Sequence, residues 1–165
     1  MGPDAPFGRW GRRLYEGLGH LGGLILGVMT LAVFTQVLLR WLGRVGIEGL
    51  DEVPRYLFVW LVMIGAAAAM YRGQHTTLEF FILRLPRRGR ALAHVLTTAG
   101  AILLFLSLLR SSLVLVPNSQ LQTSAGLNLP LGYVYAAMPV GAFLMLLPLA
   151  WRLGRALRDL WQKPS

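Results

Sequence analysis

The chain has 165 residues, is 55% hydrophobic and only 14% charged, and its mean hydropathy of +0.56 is too high for a soluble domain of this size. It carries a net charge of +9, but its arginines gather at the edges of apolar runs and form no basic face interleaved with aromatics; this argues against nucleic acid and for charge that sets orientation in a membrane. The absence of cysteine excludes disulfides, thiol nucleophiles and cysteine-held metal or iron–sulfur centres.

Met1 to Glu16 is polar and carries Arg9, Arg12 and Arg13, and an uncharged run of 23 residues from Gly17 to Leu39 follows. That run predicts a first membrane span over about 17–41. It is too long for a signal-peptide core and no small-x-small cleavage site closes it, so it reads as an uncleaved signal anchor; Arg12-Arg13 is weak as a twin-arginine signal. Gly19, Gly23 and Gly27 recur every four residues on one face, a pattern that lets a second helix approach closely in lipid, although glycine is also common in membrane helices generally. Arg40 and Trp41 end the span in residues suited to the interface.

After a short loop, Asp51 and Glu52 precede an apolar run and Pro54 falls in its first turn. Carboxylates favour the positive end of the helix dipole, and proline there removes only an orphan N–H. A second span over 52–71 follows: with its first turn it is about twenty residues, or about 30 Å, the hydrocarbon thickness of a bilayer. Arg72, Gly73, Gln74 and His75 stop it. Glu52 and Asp51 lie three and four residues before Arg55, so both carboxylates can reach its guanidinium on one face. This cluster is either a helix start with a local ion pair or a charged patch that contacts a partner. Trp60 reads as a packing residue, and Gly65 with Ala69 repeats the small-xxx-small spacing.

Leu78, Phe81, Ile82 and Leu85 share a helical face, with Thr77, Glu79 and Arg84 elsewhere, until Pro86. This predicts a short helix over about 76–86 lying in the membrane interface, followed by the basic residues Arg87, Arg88 and Arg90. A third span is expected over about 91–116, with Ser107, Ser111 and Ser112 as interhelical hydrogen-bond donors and Arg110 snorkelling near its end. Between Arg110 and Arg152 lie 41 residues without a formal charge, twice what one crossing needs, so the chain must turn inside them. The reading starts that break at Pro117, ends it at Pro130, and places a fourth span over 131–151, kinked at Pro139 and Pro148. The tail, 152–165, sets Leu153, Ala156, Leu157, Leu160 and Trp161 against Arg152, Arg155 and Arg158, an amphipathic anchor at the lipid interface.

The fold class is therefore an all-α integral membrane protein of four transmembrane helices forming one domain. Twelve of the 16 basic residues fall in the N-terminus, the 72–90 connection and the tail, which predicts both termini in the cytoplasm.

Gln36-Val37-Leu38-Leu39-Arg40 ending the first span, Glu52-x-x-Arg55-x-x-x-x-Trp60 opening the second, and Gly65-Ala66 with Arg72-Gly73-x-His75 closing it resemble the DctQ-type small membrane subunit of tripartite ATP-independent periplasmic (TRAP) transporters. Leu85-Pro86, Gln122-Thr123 and Pro139-Val140-Gly141 extend the likeness over nearly the whole chain. Thr76 and Glu79 stand where the family commonly has an aliphatic residue and an aspartate, which bears on local packing. The resemblance implies a multi-pass scaffold of the bacterial inner membrane, bound to a large membrane subunit that holds the sodium and substrate sites. A periplasmic binding protein would deliver an organic acid, and no cofactor is implied in this subunit.

The residues agree with a non-catalytic role, since no span carries a carboxylate near its middle to couple an ion or relay a proton. The alternative is a membrane anchor of a redox complex. His20 and His94 fall at similar depth in the first and third spans, and facing histidines can ligate haem; each more simply hydrogen-bonds at the interface.

Overall fold

The structure, a computed structural model, describes residues 8–43, 49–72 and 87–161. It contains α1 (Gly8–Trp41), α2 (Glu52–Arg72), α3 (Arg87–Ser119), α4 (Gly132–Tyr135) and α5 (Ala137–Trp161). Four helical stretches are long and apolar enough to cross a membrane: Gly8–Trp41, Glu52–Arg72, Val95–Ser119 and Gly132–Arg158. The described residues hold no β-strand beyond an isolated bridge between Thr123 and Pro130.

Helix ends differ from the sequence reading for identifiable reasons. The first helix starts at Gly8 and not near Gly17, because the polar residues before the apolar run are good helix formers and Arg12 pairs with Glu16 one turn on, at 3.7 Å. Helix α3 runs through Pro117 and stops at Ser119, two residues beyond the expected break. A proline one turn from a helix end removes a single ladder bond, so it precedes the break without causing it. Pro139 sits in the first turn of α5, where its missing N–H is no loss, and it starts this helix. The tail continues α5 without interruption to Trp161. The expected interfacial helix at 76–86 lies outside the described residues.

Helix α5 packs against both α2 and α3, and α1 packs against α2, so the neighbours run in the order α1, α2, α5, α3. The core is where α1, α2 and α5 meet: Tyr15, Ala67 and Met145 are buried there, with Leu18, Met63, Ala66 and Phe105 around them. The run of alanines in α2 thins that helix on the side facing α5, and Gly141 allows the closest approach, since a Cβ on it would fall 2.7 Å from the Met63 Cβ. The outer helices remain apolar but open, only 11% of the most apolar stretch of α1 and 6% of that of α3 being buried. Such surface suits lipid or another membrane chain.

Candidate functional site

At the end of the bundle away from the two termini, the Glu52 carboxylate does not pair with Arg55. It accepts backbone hydrogen bonds from Gly126 at 3.0 Å and Leu127 at 3.1 Å, in the loop joining α3 to α4. Among the described residues no ion pair links Arg55 to Asp51 or Glu52, and both Asp51 and Arg55 are exposed. The reason is geometric: two convergent amide N–H groups satisfy both carboxylate oxygens at once, and a charge-assisted bond to a fixed backbone outcompetes a pair with a long, solvated arginine.

The loop is built to present those amides. Ser124 N–H donates to the Leu129 carbonyl and Leu131 N–H to the Gln122 carbonyl, both at 2.9 Å, while Asn128 turns the chain at φ 52°. The buried Ser124 hydroxyl accepts the Leu129 N–H at 3.3 Å. Gly49, at φ +86°, lies against Gly126 so closely that a Cβ on Gly126 would fall 2.5 Å from the Gly49 Cα. The α1–α2 and α3–α4 connections are thus locked together on one side of the bundle. Asp51 and Arg55 on the α2 side and Leu121 in the loop, 91% exposed, are open to the surroundings.

The opposite end is fastened by two side chains that supply missing helix donors. Pro148 lies in α5 and has no N–H, so the Leu144 carbonyl four residues earlier lacks its ladder partner. The Tyr15 hydroxyl donates to that carbonyl at 2.6 Å. The Tyr15 ring stacks on Tyr71 with centroids 4.3 Å apart, which ties α1 and α2 to α5. The Arg152 guanidinium donates to the Met70 carbonyl at 2.8 Å, near the end of α2 where carbonyls run out of intrahelical partners. Arg152, read from sequence as a lipid-facing residue, therefore holds helices together.

The other candidates divide into those the fold uses and those it leaves outward. Of the glycine stripe, Gly19 meets α2, its notional Cβ falling 3.0 Å from an Arg72 nitrogen, whereas Cβ atoms on Gly23 and Gly27 would meet nothing within 4 Å. The α1–α2 contact uses the buried Gly22, against Leu61. Gly65 is open as well, and Ala69 beside it is half-buried; the packed positions of α2 are Ile64, Ala67, Ala68 and Met70. Trp60 is half-buried, Arg40 exposed. His75 and Arg84 lie outside the described residues, as do the side chains of Arg87, Arg88, Arg90 and His94. His20 is exposed on α1. Arg155 and Arg158 lie toward the end of α5.

The sequence reading missed Gly126, Leu127 and Tyr15. Two amide donors 74 and 75 residues from Glu52 leave no local signature. Pro148 was a usable signal for Tyr15, because a buried mid-helix proline implies a carbonyl four residues back in want of a donor.

Residues 29–159 match the family of tripartite ATP-independent periplasmic transporters, DctQ component. A Haemophilus influenzae protein bearing the name of a TRAP transporter small permease protein is 30% identical over 128 residues, covering 73% of this chain and 75% of that protein. The C4-dicarboxylate TRAP transporter small permease protein DctQ of Rhodobacter capsulatus is 31% identical over 122 residues, 72% of this chain and 53% of its own length. The sialic acid TRAP transporter small permease protein SiaQ of Vibrio cholerae is 31% identical over 93 residues, 56% of this chain and 53% of its own length. The chain thus spans about half the length of the latter two.

Proposed function

The chain belongs to the DctQ component family of tripartite ATP-independent periplasmic transporters, and on that premise we propose that it is the small permease subunit of such a transporter and works as a membrane scaffold. The observation that carries this reading is the family match across residues 29–159, joined to outer helices that are apolar yet barely buried. A bundle that leaves α1 and α3 open has room for a large membrane partner. The proposed partners are the large transport subunit, a periplasmic substrate-binding protein and the lipid of the inner membrane, with sodium coupling assigned to the large subunit. Two of the named relatives carry a C4-dicarboxylate and sialic acid in their names, which supports an organic acid as the proposed substrate class.

In this reading both termini are cytoplasmic, and the Glu52 lock stands on the periplasmic face. The open stripe of Gly23 and Gly27 is the proposed contact with the large subunit, since a helix can approach an uncovered glycine face closely. A redox-anchor role gains no support, because each named relative is a transporter subunit.

Co-expression with the large membrane subunit of a transporter of this family tests the scaffold reading. The two should co-purify, and the small chain reconstituted alone should move no substrate. Bulky Gly23→Leu and Gly27→Leu changes should reduce co-purification without unfolding the chain, because nothing among the described residues lies within 4 Å of those positions. Sodium-driven organic-acid uptake by the isolated chain would refute the assignment.

A further inference from the structure

The second half of α5 carries a groove that neither the core nor the two fastenings use, a cavity of about 540 Å³. Leu146, Leu147 and Ala150 give it an apolar floor, and the partly exposed Trp151 ring forms its side. Gly154 keeps it open, since a Cβ there would meet nothing within 4 Å. Arg155 and Arg158 line its far end, with the Arg155 guanidinium 6.0 Å from the centre of the Trp151 ring. Leu147, Trp151, Gly154 and Arg158 fall at i, i+4, i+7 and i+11, one continuous helical face.

The groove therefore changes from apolar to cationic in one direction. From Leu146 to Arg155 is about 14 Å at 1.5 Å per residue, close to half of the roughly 30 Å hydrocarbon core. With α5 crossing a bilayer, that length corresponds to about one leaflet and sets the cationic end at the level of the lipid headgroups. We infer that it binds a single anionic phospholipid, one acyl chain along Leu146, Leu147 and Ala150 and the phosphate between Arg155 and Arg158. A zwitterionic lipid offers the same tails, so the charge at the arginine end selects the anionic one. The inference rests on α5 crossing the bilayer and needs neither the scaffold role nor a particular orientation.

The test is native mass spectrometry of the full chain in detergent micelles doped with dioleoylphosphatidylglycerol or dioleoylphosphatidylcholine. One phosphatidylglycerol per chain should be retained with about tenfold or greater preference, as expected when two arginines meet a phosphate whose charge is not offset by a choline cation, as it is in phosphatidylcholine. The Arg155→Gln/Arg158→Gln double variant should lose the preference while still retaining either lipid weakly. Gly154→Leu, which fills the groove without changing charge, should lose both lipids at unchanged helical content. Equal retention of the two lipids, or phosphatidylglycerol retention that survives both variants, would overturn the inference. Displacement by millimolar inorganic phosphate would make this a free-anion site and overturn it too, as would exclusion of lipid when the large subunit is bound. Failure to co-purify with a large subunit would count against the scaffold role alone and leave the lipid result standing.

Discussion

The Glu52 carboxylate holds the Gly126 amide at 3.0 Å across 74 residues of sequence, so the start of α2 is tied directly to the α3–α4 loop. Glu52→Gln keeps the shape but removes the charge that strengthens both amide bonds, and one of its two terminal atoms becomes a donor facing donors. Hydrogen exchange at the Gly126 and Leu127 amides should speed up severalfold, and the loop should become the first site of proteolytic nicking. Arg55→Ala should leave both measurements unchanged and shift stability by less than about 0.5 kcal/mol, as an exposed residue with no ion pair among the described residues does. Equal loosening by the two substitutions would mean that Arg55 supports the lock after all.

The glycines separate into two kinds that thermal unfolding in detergent can tell apart. Gly126→Ala drives a methyl into the Gly49 backbone, with its notional Cβ 2.5 Å from the Gly49 Cα, and should cost about 1–3 kcal/mol. Gly23→Ala meets nothing within 4 Å and replaces a poor helix former, so it should stabilise the isolated chain by about 0.4–1 kcal/mol. A lower midpoint for Gly23→Ala would show that the α1 stripe is already packed within this chain.

What the sequence revealed and what it hid follow from the range of each interaction. Spans of about twenty apolar residues are set by local composition and bilayer thickness, so all four were legible, as was the turn forced inside the charge-free stretch after Arg110. Helical spacing puts Asp51 and Glu52 within reach of Arg55, and spacing is only permission: the Glu52 carboxylate binds Gly126 and Leu127, whose arrival depends on how α3 and α5 dock. The same holds for Gly19, Gly23 and Gly27, which share one face of α1; among the described residues only Gly19 reaches a neighbour, because the contact with α2 lies along Gly22. Arg152 looked like one of several tail arginines until α5 proved continuous and placed it beside Met70.

Orientation can be read by reporter fusions. The concentration of basic residues on the side of the termini predicts cytoplasmic behaviour for fusions after Arg88 and Ser165, and periplasmic behaviour for one after Ser124. The contacts already require the Ser124 loop and the Tyr15 fastening to lie at opposite ends of the bundle. A periplasmic signal after Arg88 would therefore invert the whole protein and put the Glu52 lock in the cytoplasm.

The Tyr15 hydroxyl and Pro148 form a pair whose energetics should not add. In the native chain Pro148 deprives the Leu144 carbonyl of its helical donor, and Tyr15 replaces it from α1 at 2.6 Å. Tyr15→Phe keeps the ring stacked on Tyr71 but leaves that carbonyl unpaired in a partly buried setting, at a cost of about 1–3 kcal/mol. Pro148→Ala restores an N–H in register with Leu144, so in that background the hydroxyl competes with a satisfied helix bond. Its loss should then cost no more than about 0.5–1.5 kcal/mol, the usual net worth of a hydrogen bond. The measurement is a double-mutant cycle on detergent-solubilised chains by thermal or denaturant unfolding, with helix content checked in each variant. Coupling of about 1 kcal/mol or more between the two positions would confirm that the tyrosine repairs the proline's gap. Strict additivity would mean that Tyr15 acts through its ring alone, and that the Leu144 carbonyl finds its partner elsewhere.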